Sequence, residues 1–153
     1  METGHGQIEE MNLEESQFLL RKAKYGRLGL AFESEPYVVP VSHIYDGEQI
    51  WFHVSKVGKK TTYLQANPQI CFQVDEWIDS GWGSVICYGT VSLSDEPTVR
   101  REFMKLALDQ GLSDEQLEQM DMYVCRLAIE EMTGRKSPGY SQEETPPGPD
   151  VTA

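Results

Sequence analysis

Basic residues are scarce in this chain of 153 residues, which has 13 lysines and arginines against 25 aspartates and glutamates and a formal net charge of -12. A surface with this balance repels a phosphate backbone at long range, which argues against general nucleic-acid binding. Long apolar runs are also lacking, because no segment approaches the ~18 residues that a membrane helix needs. The sequence therefore predicts neither a nucleic-acid partner nor a membrane partner.

Cysteine is rare as well, and its spacing excludes the usual metal motifs. Cys71, Cys87 and Cys125 lie far apart, each within an apolar run, so no CxxC pair is available. We expect buried free thiols and no metal site.

The N-terminus has no basic region followed by an apolar one, as a secretory signal would have, and a cytoplasmic location is the resulting expectation.

The composition that is present fits one ordinary globular domain, with 39% hydrophobic and 25% charged residues. Residues 1–11 are polar, and residues 137–153 contain four of the eight prolines and few residues able to build a core. The sequence predicts flexible tails over 1–11 and 137–153 around a single domain at 12–136.

Helix signals flank the central part of the chain. Asn12 and Glu15 have the spacing of a capping box, which predicts a first helix. A later helix is expected to begin at Ser94 or Asp95 with Pro97 in its first turn. Its predicted apolar face and end, followed by the capping box of another short helix, are Val99, Phe103, Leu106 and Gly111, then Ser113 and Gln116.

Between these helices, residues 27–93 have the alternation of strands. Asp46-Gly47 suits the tight turn of a hairpin between the strands PYVVPVSHIY and EQIWFHV. Further strands are expected in RLGLAFE, QICFQVDEW, SVICYGTVSL and MYVCRLAIEEM, and a short helix in KTTYLQAN that stops before Pro68. Pro40 removes a ladder hydrogen bond and so marks an edge, a bulge or an opening. The predicted fold class is mainly β, a β-barrel with peripheral helices that does not close fully at Pro40.

The segment HVSKVGKKTTYLQANP concentrates Lys56, Lys59 and Lys60 around Gly58. A strand, a glycine turn and a helix start bring free backbone N-H groups, the positive end of the helix dipole and lysines together, which suits a phosphate monoester. Neither GxxxxGK[ST] nor GxGxxG is present, so these motif rules leave the ligand unnamed. A solvated helix start remains the alternative interpretation.

The run PYVVPVSHIYDGEQIWFHVSKVGKKTTYLQANPQICFQVDE, followed by SGWGSVICYGTVSLSDEP and a final TGRK, resembles the FMN-binding split-barrel proteins related to pyridoxamine 5'-phosphate oxidase. The branch that it resembles most is the one that looks like nitroimidazole reductases. The resemblance covers roughly residues 13–136 and implies an FMN-binding split β-barrel that forms a homodimer, with the flavin held noncovalently between the two subunits.

The resemblance also implies a set of site residues. The flavin ring would run along the first long strand, its phosphate would be held by a basic pair, and one histidine would be the catalytic candidate that touches a small-molecule substrate. The implied cofactor-binding residues are Val39, Pro40, Val41, Ser42, His53, Val54, Lys59, Lys60 and Ser84, and the catalytic candidate is His53.

The implied function is that of a flavin-dependent oxidoreductase acting on a small molecule. A noncatalytic flavin-binding, flavin-storing or partner-binding dimer is the alternative. Haem, with His43 or His53 as axial ligand, and a deazaflavin are variants of the same architecture. The chain lacks the C-terminal segment with tryptophan and arginine that a true pyridoxamine phosphate oxidase uses, so that particular activity is not expected.

Other residues have plainer interpretations. His43 alternates onto the same face as Tyr37, Val39, Val41 and Tyr45, which favours a structural role. Lys56 is expected to face solvent. The tryptophans Trp51, Trp77 and Trp82 are expected in the core or at a subunit interface, and the interface is the favoured location.

Overall fold

A computed structural model describes residues 7–108, 115 and 119–142 of the chain. It contains three helices, α1 (Leu13–Lys22), α2 (Lys59–Ala66) and α3 (Pro97–Leu108). The strands are β1 (Glu9–Glu10), β2 (Tyr25–Phe32), β3 (Glu35–Ser42), β4 (Ile44–Tyr45), β5 (Gln49–Ser55), β6 (Gln69–Ile78), β7 (Gly81–Ser94) and β8 (Met122–Lys136). The predicted short helix at Ser113 and Gln116 and the predicted helix end at Gly111 lie outside the described residues.

The strands form one antiparallel sheet in the order β3-β2-β6-β7-β8-β5-β4, with β1 paired to β8. The two ends of this order, β3 and β4, are consecutive in the chain and are joined through His43. The sheet therefore curls until its two edges meet at one residue, and it remains open elsewhere. The predicted fold class, a mainly β split barrel with peripheral helices, is confirmed.

The core lies inside the curled sheet, where inward-facing side chains of alternate positions meet. Leu28, Ile50, Phe52, Phe72 and Leu127 are among its fully buried members. Alternation along each strand puts these side chains on one face, as the strand pattern predicts.

Two of the three predicted buried thiols are confirmed. Cys87 and Cys125 are buried in the core, and burial raises the pKa of each thiol to about 12. Cys71 faces outward and is half-buried. All three cysteines are free thiols.

Helix α1 begins as predicted, with both hydrogen bonds of a capping box. The Glu15 N-H donates to Asn12 Oδ1 over 2.8 Å, and the Asn12 N-H donates to Glu15 Oε1 over 2.9 Å. The helix buries Leu19 and Leu20 against the barrel. It thereby covers one mouth of the core.

Helix α3 packs on the outside of β5 and β8 over a second apolar cluster. Val99 and Phe103 face this cluster as predicted, together with Trp51 and Val124. The prediction for Leu106 was wrong, because its side chain is exposed and Met104 is buried instead. Trp51 is buried beneath this helix, so of its two expected locations the core is observed and the favoured interface is not.

The predicted hairpin around Asp46-Gly47 is shorter than expected. The turn is present, with Gly47 at φ 102°, but it joins β5 to the two-residue β4. The longer strand β3 pairs with β2 instead, Pro40 lying opposite Arg27. β3 is a terminal strand of the sheet, which confirms the edge position predicted from Pro40.

The packed part of the chain extends beyond the predicted boundaries at residues 11 and 137. β1 pairs with the end of β8, and Met11 is buried. Tyr140 is buried as well, and its hydroxyl donates to Glu76 Oε1 over 2.6 Å. The prediction of tails was therefore wrong for residues 9–11 and 137–140, where two apolar side chains reach the barrel.

In the described residues, no helix is long and apolar enough to cross a bilayer.

Candidate functional site

The opening of the barrel lies between β3 and β5. These strands make no ladder with each other, because β4 is only two residues long and pairs with the first half of β5 alone. Extending the β4–β5 register back along the chain would put Ser42 opposite His53 and Val41 opposite Val54. The predicted site residues of β3 and β5 therefore lie on the two strands that flank the split.

The predicted residues of β3 point in alternate directions. Val41 is buried and Val39 is half-buried on the inner face, whereas Pro40 and Ser42 are exposed on the outer face. The edge of β3 that faces away from β2 has unpaired backbone groups, as any edge strand has. A planar ligand could use these groups, and Pro40 can contribute only its carbonyl.

His53 and Val54 have different environments on β5. The His53 side chain faces outward, and its ring centroid lies 5.8 Å from that of Phe103 on α3. Partial burial, together with the positive charge of Lys60, lowers the pKa of His53 below 6.5 and favours the neutral imidazole. Val54 is only 1% exposed and packs in the core, so that only its backbone can face the split.

The lysine segment forms the predicted turn and helix start. Gly58, at φ 135°, is the N-cap of α2 and provides no side-chain acceptor for the first N-H groups of the helix. The first turn contains no acidic residue. The Thr61 hydroxyl donates to the Ser55 carbonyl and holds the turn against the end of β5. The result is an uncapped helix N-terminus with two adjacent lysines, a favourable environment for an anion.

The three lysines of this segment have different partners. Lys59 Nζ lies 4.7 Å from the ring centroid of Tyr37 on β3 and 5.7 Å from that of Tyr63. Lys56 Nζ pairs with Asp95 Oδ2 at 2.9 Å in an exposed ion pair, so its expected solvent-facing position includes one partner. Lys60 is half-buried. The segment thus directs Lys59 toward the split and Lys56 away from it.

Ser84 lies apart from the other predicted residues. It belongs to a polar cluster on the outer face of β2, β6 and β7, in which Gln73 Nε2 donates to Ser84 Oγ over 3.2 Å. In the same cluster, Arg27 Nη1 donates to Asp75 Oδ1 over 3.0 Å. Ser84 is three strand positions from β3, about 14 Å along the sheet at ~4.8 Å per strand. Within one chain it does not join the group at the split.

His43 has the structural role that the alternation predicts. It is buried, its Nε2 donates to the Leu20 carbonyl over 3.0 Å, and its ring packs 4.8 Å from that of Phe72. These contacts occupy the nitrogen that faces α1. Among the described residues, no three histidine, cysteine or acidic side chains come together as a metal site would require.

Two residues of the site, Tyr37 and Phe103, were not predicted from the sequence as functional candidates. Tyr37 was assigned to the inner face of its strand, and Phe103 was assigned to the apolar face of a helix. The only local signal was the spacing of Lys59 and Tyr63, which places them one helical turn apart. The contacts to Tyr37 and Phe103 depend on elements that are distant in the sequence.

The outer face beside β3 is apolar and largely uncovered. Val38 is 68% exposed there, and Tyr88 on β7 is also exposed. A shallow groove of about 640 Å³ runs across this face, between the segments 29–31 and 36–38 and strands β6 and β7. A face of this kind on a single chain is typical of an interaction surface.

Comparisons with known proteins support the fold. One curated relative, the uncharacterised protein RA0666 of Rhizobium meliloti (strain 1021), is 26% identical over 83 residues. This match spans 54% of each protein, so the chain matches only about half the length of that relative.

Three solved structures are similar over most of the chain. A FAD-binding protein of Mesorhizobium loti has a TM-score of 0.70 at 24% identity, covering 84% of this chain and 97% of that one. A candidate 5-nitroimidazole antibiotic resistance protein of Bacteroides thetaiotaomicron VPI-5482 also has a TM-score of 0.70, at 18% identity, covering 84% and 88%. A FAD and haem binding protein of Mycobacterium smegmatis has 0.69 at 14% identity, covering 89% and 76%. At these identities the likeness shows the fold alone.

The family is shown by a match of another kind. A family model described as pyridoxamine 5'-phosphate oxidase matches residues 12–136, which contain all of β2 to β8 and the three helices. The match includes both sides of the split and the lysine segment. The chain therefore belongs to the pyridoxamine 5'-phosphate oxidase family.

Proposed function

We propose that this protein is a cytoplasmic homodimer that binds FMN noncovalently at the split between β3 and β5 and acts as a flavin-dependent oxidoreductase on a small molecule. One observation carries the proposal. The uncapped start of α2 carries Lys59 and Lys60, and Lys59 contacts the ring of Tyr37 on β3, a strand with one free edge. An anion site and an open strand edge are thus adjacent, as a ligand with a phosphate at one end and a planar ring at the other requires.

The donor groups of the chain suit a flavin phosphate. The first N-H groups of α2 are left without a side-chain acceptor, and two ammonium groups stand beside them. Lysines supply point charges rather than the paired donors of an arginine. We therefore expect a modest affinity with little geometric selection at the phosphate.

The remaining predicted residues would act at the ring end. The backbone of Val39 to Ser42 would hold the ring through hydrogen bonds, and Val41 and Val54 would exclude water beneath it from the core side. His53 would present a neutral imidazole on the outer side. FMN, when bound, supplies two-electron redox chemistry. A neutral imidazole can accept a proton from a small substrate or donate one through its N-H, and this is the role that we assign to His53.

A second copy of the chain accounts for two features of the outer face. Ser84 lies about 14 Å along the sheet from β3, and we therefore assign it to the site of the partner chain. The apolar outer face with Val38 and Tyr88 would be covered by the same contact. Both features support the homodimer, with two equivalent sites at the interface.

A flavin-storage dimer is the alternative to an enzyme. It shares the fold and the cofactor, and it predicts FMN binding without reduction of the bound flavin by NADH or NADPH. FAD is the alternative cofactor, since two of the similar structures are those of FAD-binding proteins. Parallel titrations with FMN and FAD separate the two cofactors.

The proposal is tested by removing both lysines at the phosphate end. The double variant Lys59→Ala and Lys60→Ala should weaken FMN binding by about 2 kcal/mol or more, because each charge-assisted hydrogen bond contributes about 1.5–3 kcal/mol. Riboflavin, which lacks the phosphate, should bind to both proteins equally. Flavin fluorescence quenching measures both affinities.

The matched control is Lys105→Ala, which removes one exposed lysine from α3 at a distance from the split. It should leave FMN binding unchanged. Equal FMN affinity in the wild type and the double variant would show that Lys59 and Lys60 are surface lysines and would remove the phosphate site.

A further inference from the structure

The ammonium group of Lys59 lies over the faces of two aromatic rings. Its Nζ is 4.7 Å from the Tyr37 centroid and 5.7 Å from the Tyr63 centroid, both within the ~6 Å range of a cation–π contact. The two rings are 5.2 Å apart and tilted by 54°. They form a cradle that fixes the lysine head group relative to β3.

The cradle is itself held by the barrel. Tyr63 is buried, and Phe32 on β2 meets it edge-on with centroids 5.7 Å apart. Tyr37 is half-buried on the terminal strand β3, whose backbone forms one side of the split. The cradle therefore links the start of α2 to the strand along which the ligand ring is expected.

The chemistry of a ring face differs from that of a carboxylate partner. Asp95 neutralises the charge of Lys56 and accepts one of its N-H groups. Tyrosine rings attract the ammonium of Lys59 without supplying a negative charge, and they leave its N-H groups on the far side available. Lys59 is thus oriented and still able to bind an anion.

We propose that Tyr37 is a positioning residue for the phosphate of the ligand, acting through Lys59. The inference rests on the proposed flavin site and adds a residue that neither the sequence pattern nor the family resemblance indicated. Tyr37 does not itself bind the phosphate. Its ring restricts Lys59 to the side of the split and so lowers the entropy that the lysine loses when the phosphate arrives.

A double-mutant cycle on FMN affinity tests this role. Tyr37→Leu removes the ring face, and the expected loss of FMN affinity is about two- to fivefold, the range of an exposed cation–π contact. In the Lys59→Ala background the same substitution should change FMN affinity by less than about 1.5-fold, because the group that Tyr37 positions is gone. Tyr37→Phe keeps the ring and should retain the wild-type affinity.

If Tyr37 had only a structural role, its substitution would also change riboflavin affinity and thermal unfolding, so both are measured. Tyr37→Leu should leave riboflavin affinity unchanged, and its unfolding should remain cooperative. Equal losses for FMN and riboflavin, or a Tyr37→Leu effect that persists in the Lys59→Ala background, would overturn the inference while leaving the flavin site in place. Failure of the wild-type protein to bind either flavin would instead overturn the proposed function, and the inference with it.

Discussion

At the scale of single residues, His43 is a buried titratable side chain that takes no part in the proposed flavin site. The ring is only 8% exposed, its Nε2 donates to the Leu20 carbonyl, and its Nδ1 has no hydrogen-bond partner among the described residues. Burial lowers the pKa of His43 below 6.5, and the hydrogen bond to Leu20 opposes this only in part. The folded protein therefore favours a neutral His43.

This environment predicts a pH dependence of stability. Because the pKa of His43 is lower in the folded than in the unfolded chain, the unfolded chain binds more protons below about pH 6.5. The free energy of unfolding should therefore fall as the pH drops from about 7.5 to about 5.5. His43→Gln should reduce this slope, and urea unfolding at the two pH values measures it.

The other groups with lowered pKa values provide the control for this prediction. His53 also has a lowered pKa but is less enclosed, so His53→Gln should reduce the slope less than His43→Gln does. Glu15, Asp46 and Asp75 have lowered pKa values and lose their stabilising effect only near or below about pH 4. A slope that is the same in the wild type and His43→Gln would contradict the account of His43.

The lysine segment shows what residue types alone can and cannot predict. Three lysines near a glycine and a helix start predicted a turn and an uncapped helix start, which the structure contains, and the anion site there remains a proposal. The separate partners of Lys56 and Lys59 were not predictable, since Asp95 and Tyr37 lie 39 and 22 positions away in the sequence. Val54 was predicted as a site residue by its position along its strand, and its side chain belongs to the core.

At the scale of elements, the long ribbon of β7 and β8 depends on one irregular position. The register of the two strands shifts between Tyr88 and Gly89. A Cβ atom at Gly89 would lie 1.9 Å from the Ala128 carbonyl oxygen. The neighbouring strand can approach this closely only because residue 89 has no side chain.

Substitution at this position should therefore destabilise the whole sheet. Gly89→Ala is expected to lower the free energy of unfolding by about 1–3 kcal/mol, the usual cost of overpacking a buried site. Urea unfolding gives this value directly. Ser92→Ala, at an exposed position of the same strand, should change stability by no more than about 0.5 kcal/mol. Similar effects of the two substitutions would refute the role of the close approach.

Alternation was sufficient to predict most of the strands, but it did not predict how they pair. β2, β6, β7 and β8 were expected near their observed positions because each buries one face of its alternating pattern. The pairing of β3 was predicted wrongly, because the Asp46-Gly47 turn is compatible with a long or a short hairpin. The break at His43 contains no turn residue, and it arises where the curled sheet brings its two edges together.

At the scale of the whole molecule, the charge distribution and the open edge act together. The net charge of -12 disfavours anions near most of the surface, whereas the proposed site at the start of α2 would attract them locally. The outer face leaves apolar groups uncovered in a single chain, which is the arrangement expected of a subunit that pairs with a copy of itself. Cofactor binding and dimerisation are therefore expected in the same species.

Sedimentation of the protein mixed with FMN, followed by the visible absorption of the flavin, measures whether a dimer of this chain binds FMN. The flavin is expected to sediment with the protein at the mass of two chains, with one flavin per chain. Sedimentation of a colourless protein, with the flavin moving at the rate of the free molecule, would show that the proposed site does not bind FMN.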